Sequence, residues 1–478
     1  MDLATSRTPA REGWFGAFPP PRSGDPALFC LPYAGGDATA FWSWRDAPGL
    51  SPQPLHLPGR DGLSAHVPPP DPRAVARAVA RAVAERVAGR RPYAIYGHSM
   101  GARLGFEVAR ELRRAGVAPP LALFAGASHP PHLDEPVAAL AGLDEDRFIG
   151  RLIARVGAPE ALRDDPDLRE MLLPAIRADL AWLQGYRYAE EEPLPSPVVA
   201  LAGEDDREVP PGLMLGWARH TSSRFLLRTL PAGHYFLNTH PDLAAAMVAA
   251  ELAGAPPGPP EADEVHVWLA RLDAMPGACA AVDELSPGEA RRAAGLPPGT
   301  DRRRYVGRRV TLRRLLARYG ADPAGGEIPV APGGGPYAGD LRFSVGHSGG
   351  ILLVAVARGQ AVGVGVERPR PGAPGQDAPG GGERGPLGGA PGETETRLAL
   401  RSRAAAEALR KAAGDGPDPD GSGAPPRTPR AAAGPERPER PLGWRVTHLP
   451  LDGATAAVAV RRERWRLRFE TLVEDARP

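Results

Sequence analysis

The chain has 478 residues, a formal net charge of +1 at pH 7 and two cysteines, Cys30 and Cys279. A length of this order holds two domains, each large enough for its own core. The near-zero charge argues against a nucleic-acid or acidic-membrane partner, and two distant cysteines exclude a disulfide framework or a cysteine-held metal.

The opening Met1–Arg7 lacks the apolar core of a signal peptide. No apolar run reaches membrane-spanning length, so the expectation is a soluble, reduced, cytoplasmic protein. One oddity stands out: Lys411 is the only lysine, every other cation apart from histidine being arginine.

In chain order, β-like runs at Ala27–Leu31, Tyr93–Tyr96, Leu121–Ala125, Val198–Ala202 and Phe225–Leu230 alternate with helical patterns. Such alternation predicts an α/β domain with a parallel sheet covered by helices on both faces. Tyr93–Tyr96 leads into Gly97-His98-Ser99-Met100-Gly101, and a helix-like run follows from Ala102 to Arg114. A strand, sharp turn and helix of this kind lift a serine hydroxyl above the sheet edge. The flanking glycines are needed because side chains there would collide with the turn.

Two partners for Ser99 follow in the order Asp, then His. Asp205-Asp206 comes after the Val198–Ala202 run, and His234 lies in a loop after Phe225–Leu230. A serine hydroxyl needs a base to become nucleophilic, which His234 supplies, while an aspartate fixes the imidazole tautomer. Both aspartates qualify; the Gly-x-x-Asp spacing from Gly203 favours Asp206. The developing oxyanion needs backbone donors. Met100, next after the nucleophile, is one, and Ala34 in the loop Leu31-Pro32-Tyr33-Ala34-Gly35-Gly36 is the other. His98 shapes the turn without reacting, and His56, His66, His129, His132, His220 and His240 read as surface or packing residues.

Four motifs, Phe29–Gly36, Leu57-Pro58-Gly59-Arg60, Gly97–Gly101 and Ile176-Arg177-Ala178-Asp179, together resemble a type II thioesterase over residues 13–253. The resemblance implies an α/β-hydrolase fold whose segment from Leu133 to Tyr188 forms a helical lid. It also implies acyl or peptidyl carrier proteins of polyketide and nonribosomal peptide synthases as partners. The substrate would be a thioester on the carrier's phosphopantetheine arm, hydrolysed to clear aberrant acyl groups without a cofactor.

Gly254-Ala255-Pro256-Pro257-Gly258-Pro259-Pro260 opens a Pro-rich linker over 254–264. Beyond it the grammar changes. Val265–Leu269 reads as a strand, and Ser286-Pro287-Gly288-Glu289 as a capping box. A helix follows at about Asp301–Tyr319, then strands at Leu341–Val345, Ile351–Ala357 and Ala361–Val366, and a helix at about Thr396–Ala413. Arg368–Gly392 and Gly414–Pro441 are too rich in Gly, Pro and charge to order themselves and are expected to be disordered insertions.

Val267-Trp268-Leu269, Leu285–Glu289, Arg309–Tyr319, Phe343–Ser348, Val362–Glu367 and Glu407–Lys411 make residues 265–465 resemble a surfactin-type 4′-phosphopantetheinyl transferase. That resemblance implies an α+β domain using coenzyme A and Mg2+. Glu367 and Glu407 would serve as metal ligands, and His347 and Lys411 would contact the cofactor phosphates. The pattern is incomplete. An Asp-x-Glu pair reads Gly365-Val366-Glu367, the lysine before Glu407 is Ala406, and a Gly-Lys-Pro motif reads Gly334-Gly335-Pro336. Three readings stay open: a weakened transferase, a carrier-docking relative without activity, and a folded remnant. The bland alternative for Glu407 and Lys411 is an i, i+4 ion pair on a helix.

Overall fold

A computed structural model describes residues 14–15, 18–20, 25–57, 71–88, 91–156, 158–254, 257–321, 325–328, 337–369, 395–413, 444–462 and 464–474. The chain divides into two compact units, Met1–Ala255 and Pro256–Pro478.

The first unit carries strands β1 (Ala27–Leu31), β2 (Pro52–Pro54), β3 (Tyr93–His98), β4 (Leu123–Gly126), β5 (Val198–Gly203) and β6 (Phe225–Leu230). Their order is β2-β1-β3-β4-β5-β6 and every pairing is parallel. Its helices are α1 (Pro72–Val87), α2 (Met100–Arg114), α3 (Glu145–Val156), α4 (Pro166–Gly185), α5 (Pro211–Met214), α6 (Phe236–Thr239) and α7 (Pro241–Leu252).

Because successive strand residues face opposite ways, the sheet buries two sets of side chains. On one face Leu28, Tyr96, Phe124 and Leu226 pack with Phe41, Trp44 and the α7 residues Ala244 and Val248. The other face is covered by α2, where Gly105 lies over Ile95 and Leu123. Burying each such large apolar side chain contributes about 1.5–3 kcal/mol.

Strand β2 is absent from the sequence reading. Its Pro-Gln-Pro composition argues against a strand, but it pairs at the sheet edge through β1 alone, where a missing N–H costs no ladder bond. Helices α3 and α4 both lie between β4 and β5, within the span where the resemblance implies a lid.

The second unit holds β7 (Glu264–Arg271), β8 (Tyr337–Ala338), β9 (Leu341–Ser348), β10 (Ile351–Arg358), β11 (Val362–Glu367), β12 (Arg445–Leu451), β13 (Ala454–Val460) and β14 (Arg466–Leu472). Its helices are α8 (Pro276–Ala280), α9 (Pro287–Gly295), α10 (Thr300–Arg318) and α11 (Glu395–Ala413). One sheet runs β14-β7-β10-β9-β8 and another β11-β13-β12. The capping box at Ser286 and Glu289 is formed. Glu289, fully buried, also accepts from Arg309 Nε at 2.6 Å and Arg313 Nε at 2.7 Å, fastening α9 to α10.

Strand β14 runs past residue 465, where the sequence reading ended the domain. It pairs in parallel with β7 from Arg466↔Glu264 to Leu472↔Ala270. Leu467 and Phe469 alternate with Arg466, Arg468 and Glu470, a strand pattern, and Arg468 and Glu470 are themselves buried and bonded to each other at 3.4 Å. The segments expected to be disordered fall outside the described residues apart from 368 and 369 and, before 368, Gly334-Gly335-Pro336 and residues 58–60 do too. Among the described residues no helix is long and apolar enough to cross a membrane. Both cysteines are free thiols.

Candidate active site

Ser99 joins β3 to α2 with φ 54° and ψ −116°. Positive φ is strained for a residue with a Cβ, and such strain concentrates at functional sites. The turn is held by close backbone approach. A Cβ on Gly97 would lie 2.1 Å from the Gly101 carbonyl, and one on Gly101 would lie 2.2 Å from that of Leu31. The second approach also brings the loop containing Ala34 against the first turn of α2. Met100 is the first residue of that helix, where N–H groups lack intrahelical partners.

The structure brings Ser99, His234 and Asp206 into one line. His234 Nε2 lies 3.1 Å from Ser99 Oγ, and its Nδ1 lies 2.8 Å from Asp206 Oδ2. The other Asp206 oxygen accepts the backbone N–H groups of Glu208 and Val209, each at 2.9 Å. Burial alone would raise the Asp206 carboxyl, but the His234 bond and charge, with those two amides, outweigh it and hold it below its ordinary value. Of the two aspartates left open by spacing, Asp205 points its side chain to solvent and Asp206 is buried against the imidazole.

His98 supports this line from behind. It lies 2.8 Å from the His234 carbonyl through Nε2 and 3.2 Å from the Tyr96 hydroxyl through Nδ1. A carbonyl only accepts, so Nε2 carries the hydrogen and Nδ1 accepts from Tyr96. Burial, and then the neighbouring His234, push His98 down to about 3, so it stays neutral and acts as a prop.

A buried charged cluster sits beside the acid loop, and its histidine is one that the sequence reads as a surface or packing residue. His129, Glu135 and Glu208 hold ligand-type atoms all within 4.8 Å of one another. Cations already occupy it: Arg103 Nε lies 3.3 Å from Glu135, and Arg155 forks onto Glu208 at 2.7 and 2.9 Å. His129 Nδ1 is 3.0 Å from Glu135. The partners are separated by up to 79 positions between His129 and Glu208, which no motif could link. A second strained residue, Ala127 at φ 43°, follows β4.

In the second unit the residues assigned to coenzyme A and magnesium by resemblance are differently engaged. Lys411 donates to the carbonyls of Val345 at 2.7 Å and Val364 at 3.3 Å, and pairs with Glu407. An ammonium has three donors, and these acceptors use them all. Glu367 ends β11 with Arg403 at 3.9 Å, and His347 is exposed near the end of β9. Helix α11 rests directly on β11: a Cβ on Gly365 would meet the Ala404 carbonyl at 2.3 Å, and one on Gly363 the Ala408 carbonyl at 1.9 Å. A third carboxylate therefore has no room at 365, and the remaining two already face cations. This donor set does not fit a hard cation that requires several oxygen ligands.

Comparison with known proteins places the first unit. A family model described as a thioesterase domain matches residues 26–251. The chain is 32% identical over 212 residues to the gramicidin S biosynthesis protein GrsT of Aneurinibacillus migulanus, covering 44% of this chain and 82% of that protein. It is 30% identical over 227 residues to the thioesterase PikA5 of Streptomyces venezuelae, covering 47% and 80%. Among solved structures, the RedJ thioesterase from the prodiginine pathway of Streptomyces coelicolor is 33% identical, covering 49% of this chain and 89% of RedJ with a TM-score of 0.46.

Proposed function

The chain belongs to the thioesterase family through its residues 26–251, and on that premise we propose that it hydrolyses acyl groups from the phosphopantetheine arms of carrier proteins. The carriers are those of polyketide or nonribosomal peptide synthesis, and the reaction clears aberrant acyl groups from them. The observation that carries the reading is the hydrogen-bonded line from Ser99 through His234 to Asp206.

In this reading Ser99 Oγ attacks the thioester carbonyl while His234 Nε2 takes its proton. Asp206, an ionised acceptor, holds the imidazole in the Nδ1–H tautomer and stabilises the imidazolium. The oxyanion forms against the N–H groups of Met100 and Ala34, whose fixed dipoles need no reorganisation. Collapse breaks the C–S bond and returns the proton to the pantetheine sulfur, leaving an acyl ester on Ser99. Water, deprotonated by His234, attacks that ester and releases the carboxylic acid.

For the second unit we read the transferase-like pattern as a carrier-docking module. The transferase alternative is disfavoured by α11 packed over Gly363 and Gly365 and by Lys411 engaged by two carbonyls and Glu407; the docking role itself rests on the resemblance. Tethering of this kind raises the local concentration of carrier at the hydrolase without adding contacts there.

The test is mass spectrometry of an acylated holo carrier incubated with the full chain. Loss of the acyl mass, absent with Ser99→Ala, supports the reading. An acyl group that persists with the wild-type chain across several carriers overturns it.

A further inference from the structure

The motif Ile176-Arg177-Ala178-Asp179 has no part in the proton relay, yet it reaches the loop assigned to the oxyanion. Asp179, 3% exposed in α4, accepts the backbone N–H of Gly35 at 2.7 Å. Ile176, one helical turn earlier on the same face, presses on the same residue: a Cβ on Gly35 would lie 2.3 Å from Ile176 Cγ1.

Gly35 is the third residue of a turn closed by the Gly36 N–H on the Tyr33 carbonyl at 2.9 Å, and its φ is +79°. A left-handed third residue separates the type II turn from type I, and the two differ by a flip of the peptide between the second and third residues. Here that peptide joins Ala34 to Gly35. Its N–H is the group that Asp179 holds, through a bond strengthened by the carboxylate charge.

We propose that Asp179 is a positioning residue that locks the Ala34–Gly35 peptide, so the oxyanion hole is assembled only while α4 is seated on the loop. The inference rests on the hydrolase reading above. Without the carboxylate the turn loses its anchor on α4, and the Ala34 N–H, which belongs to the preceding Tyr33–Ala34 peptide, shifts with the loop that carries it. Substrate binding away from the reacting carbonyl is untouched, so the loss falls on kcat.

The experiment uses the full chain with acetyl-, butyryl- and hexanoyl-pantetheine as substrates, and a trifluoromethyl ketone analogue of the best of them as inhibitor. The ketone adds Ser99 to form a tetrahedral oxyanion, so its Ki reports the hole directly. Asp179→Ala is expected to lower kcat on the order of 10²-fold, as misplaced groups do, with KM within about two-fold and Ki raised in parallel with the loss of kcat/KM. Asp179→Asn keeps a carbonyl acceptor for Gly35 and recovers most of both. A fall in kcat with Ki unchanged means fewer folded molecules and overturns the proposal, as does an Asp179→Ala variant with both constants unaltered. A wild-type chain inactive on all three substrates instead removes the hydrolase reading itself.

Discussion

Arg155 of α3 grips Glu208 with two hydrogen bonds, two residues beyond Asp206. The helical insertion is thereby fastened to the loop that carries the acid. The same insertion reaches the nucleophile helix α2, where Tyr186 donates to Glu107 at 2.8 Å and Arg103 pairs with Glu135. Glu208 is almost fully buried, with its side chain 4% exposed, and the guanidinium is its bidentate partner there. Arg155→Met is expected to cost on the order of 3 kcal/mol, read from the denaturant midpoint. Adding Glu208→Gln should return part of that loss, and a double-mutant cycle measures the coupling.

The two adjacent aspartates separate by activity. In Asp206→Asn the amide oxygen stays on the Glu208 and Val209 N–H groups, which turns the NH2 toward His234 Nδ1, imposes the wrong tautomer and is expected to lower kcat by about 10⁴-fold. Asp205→Asn alters an exposed side chain and should leave kcat within about two-fold. Hydrolysis of an acyl-pantetheine thioester measures both.

These adjacent residues also mark how far a sequence reaches. Ser99 and His234 are legible because a local motif dictates the turn at one and chain order singles out the other. Asp205 and Asp206 differ only in which way each points, a property of the folded loop. Glu208 joins His129 and Glu135, and Asp179 joins Gly35, across long stretches of chain, and no periodicity carries such pairings. In the second unit the Glu407–Lys411 pair follows from helical spacing. The carbonyls that occupy Lys411 belong to β9 and β11, and their approach depends on glycines that let α11 lie on the strand.

The His129–Glu135 pair predicts a window of stability in pH. Burial would lower His129, but the Glu135 carboxylate outweighs it and raises the imidazole above its ordinary 6.5. Glu135, which burial would raise, is held down to about 2 by His129 and Arg103. A raised histidine contributes stability in full below its unfolded value and loses it as pH climbs through the folded one. A depressed carboxylate contributes above its unfolded 4.5 and loses that as pH falls toward about 2. The gap in Tm between wild type and His129→Gln should therefore be widest from 4.5 to 6.5 and close on the alkaline side.

Magnesium provides the test of the second unit. An apo carrier incubated with the chain, coenzyme A and Mg2+ is expected to gain no phosphopantetheine mass, and Mn2+ paramagnetic resonance should show no bound ion at micromolar concentrations. Gly365→Asp should not restore either signal, because its Cβ meets a helix carbonyl at 2.3 Å. Rigid contacts this close are expected to lower stability by roughly 3 kcal/mol. A chelator should leave thioester hydrolysis unchanged.

Lys411, enclosed by two carbonyls and a carboxylate, is also the only lysine among 58 lysines and arginines, set against 57 acids. Guanidinium groups hold their protons beyond about pH 12, so the usual amine titration of an alkaline solution is missing. The charge balance near neutrality therefore persists as a plateau to about pH 10, where most proteins have become strongly anionic. Proteins near zero net charge associate most readily. Raising the pH by a unit or two, the ordinary remedy for a precipitating protein, should accordingly do little for this one, and its solubility minimum should be a broad trough in place of a sharp isoelectric point.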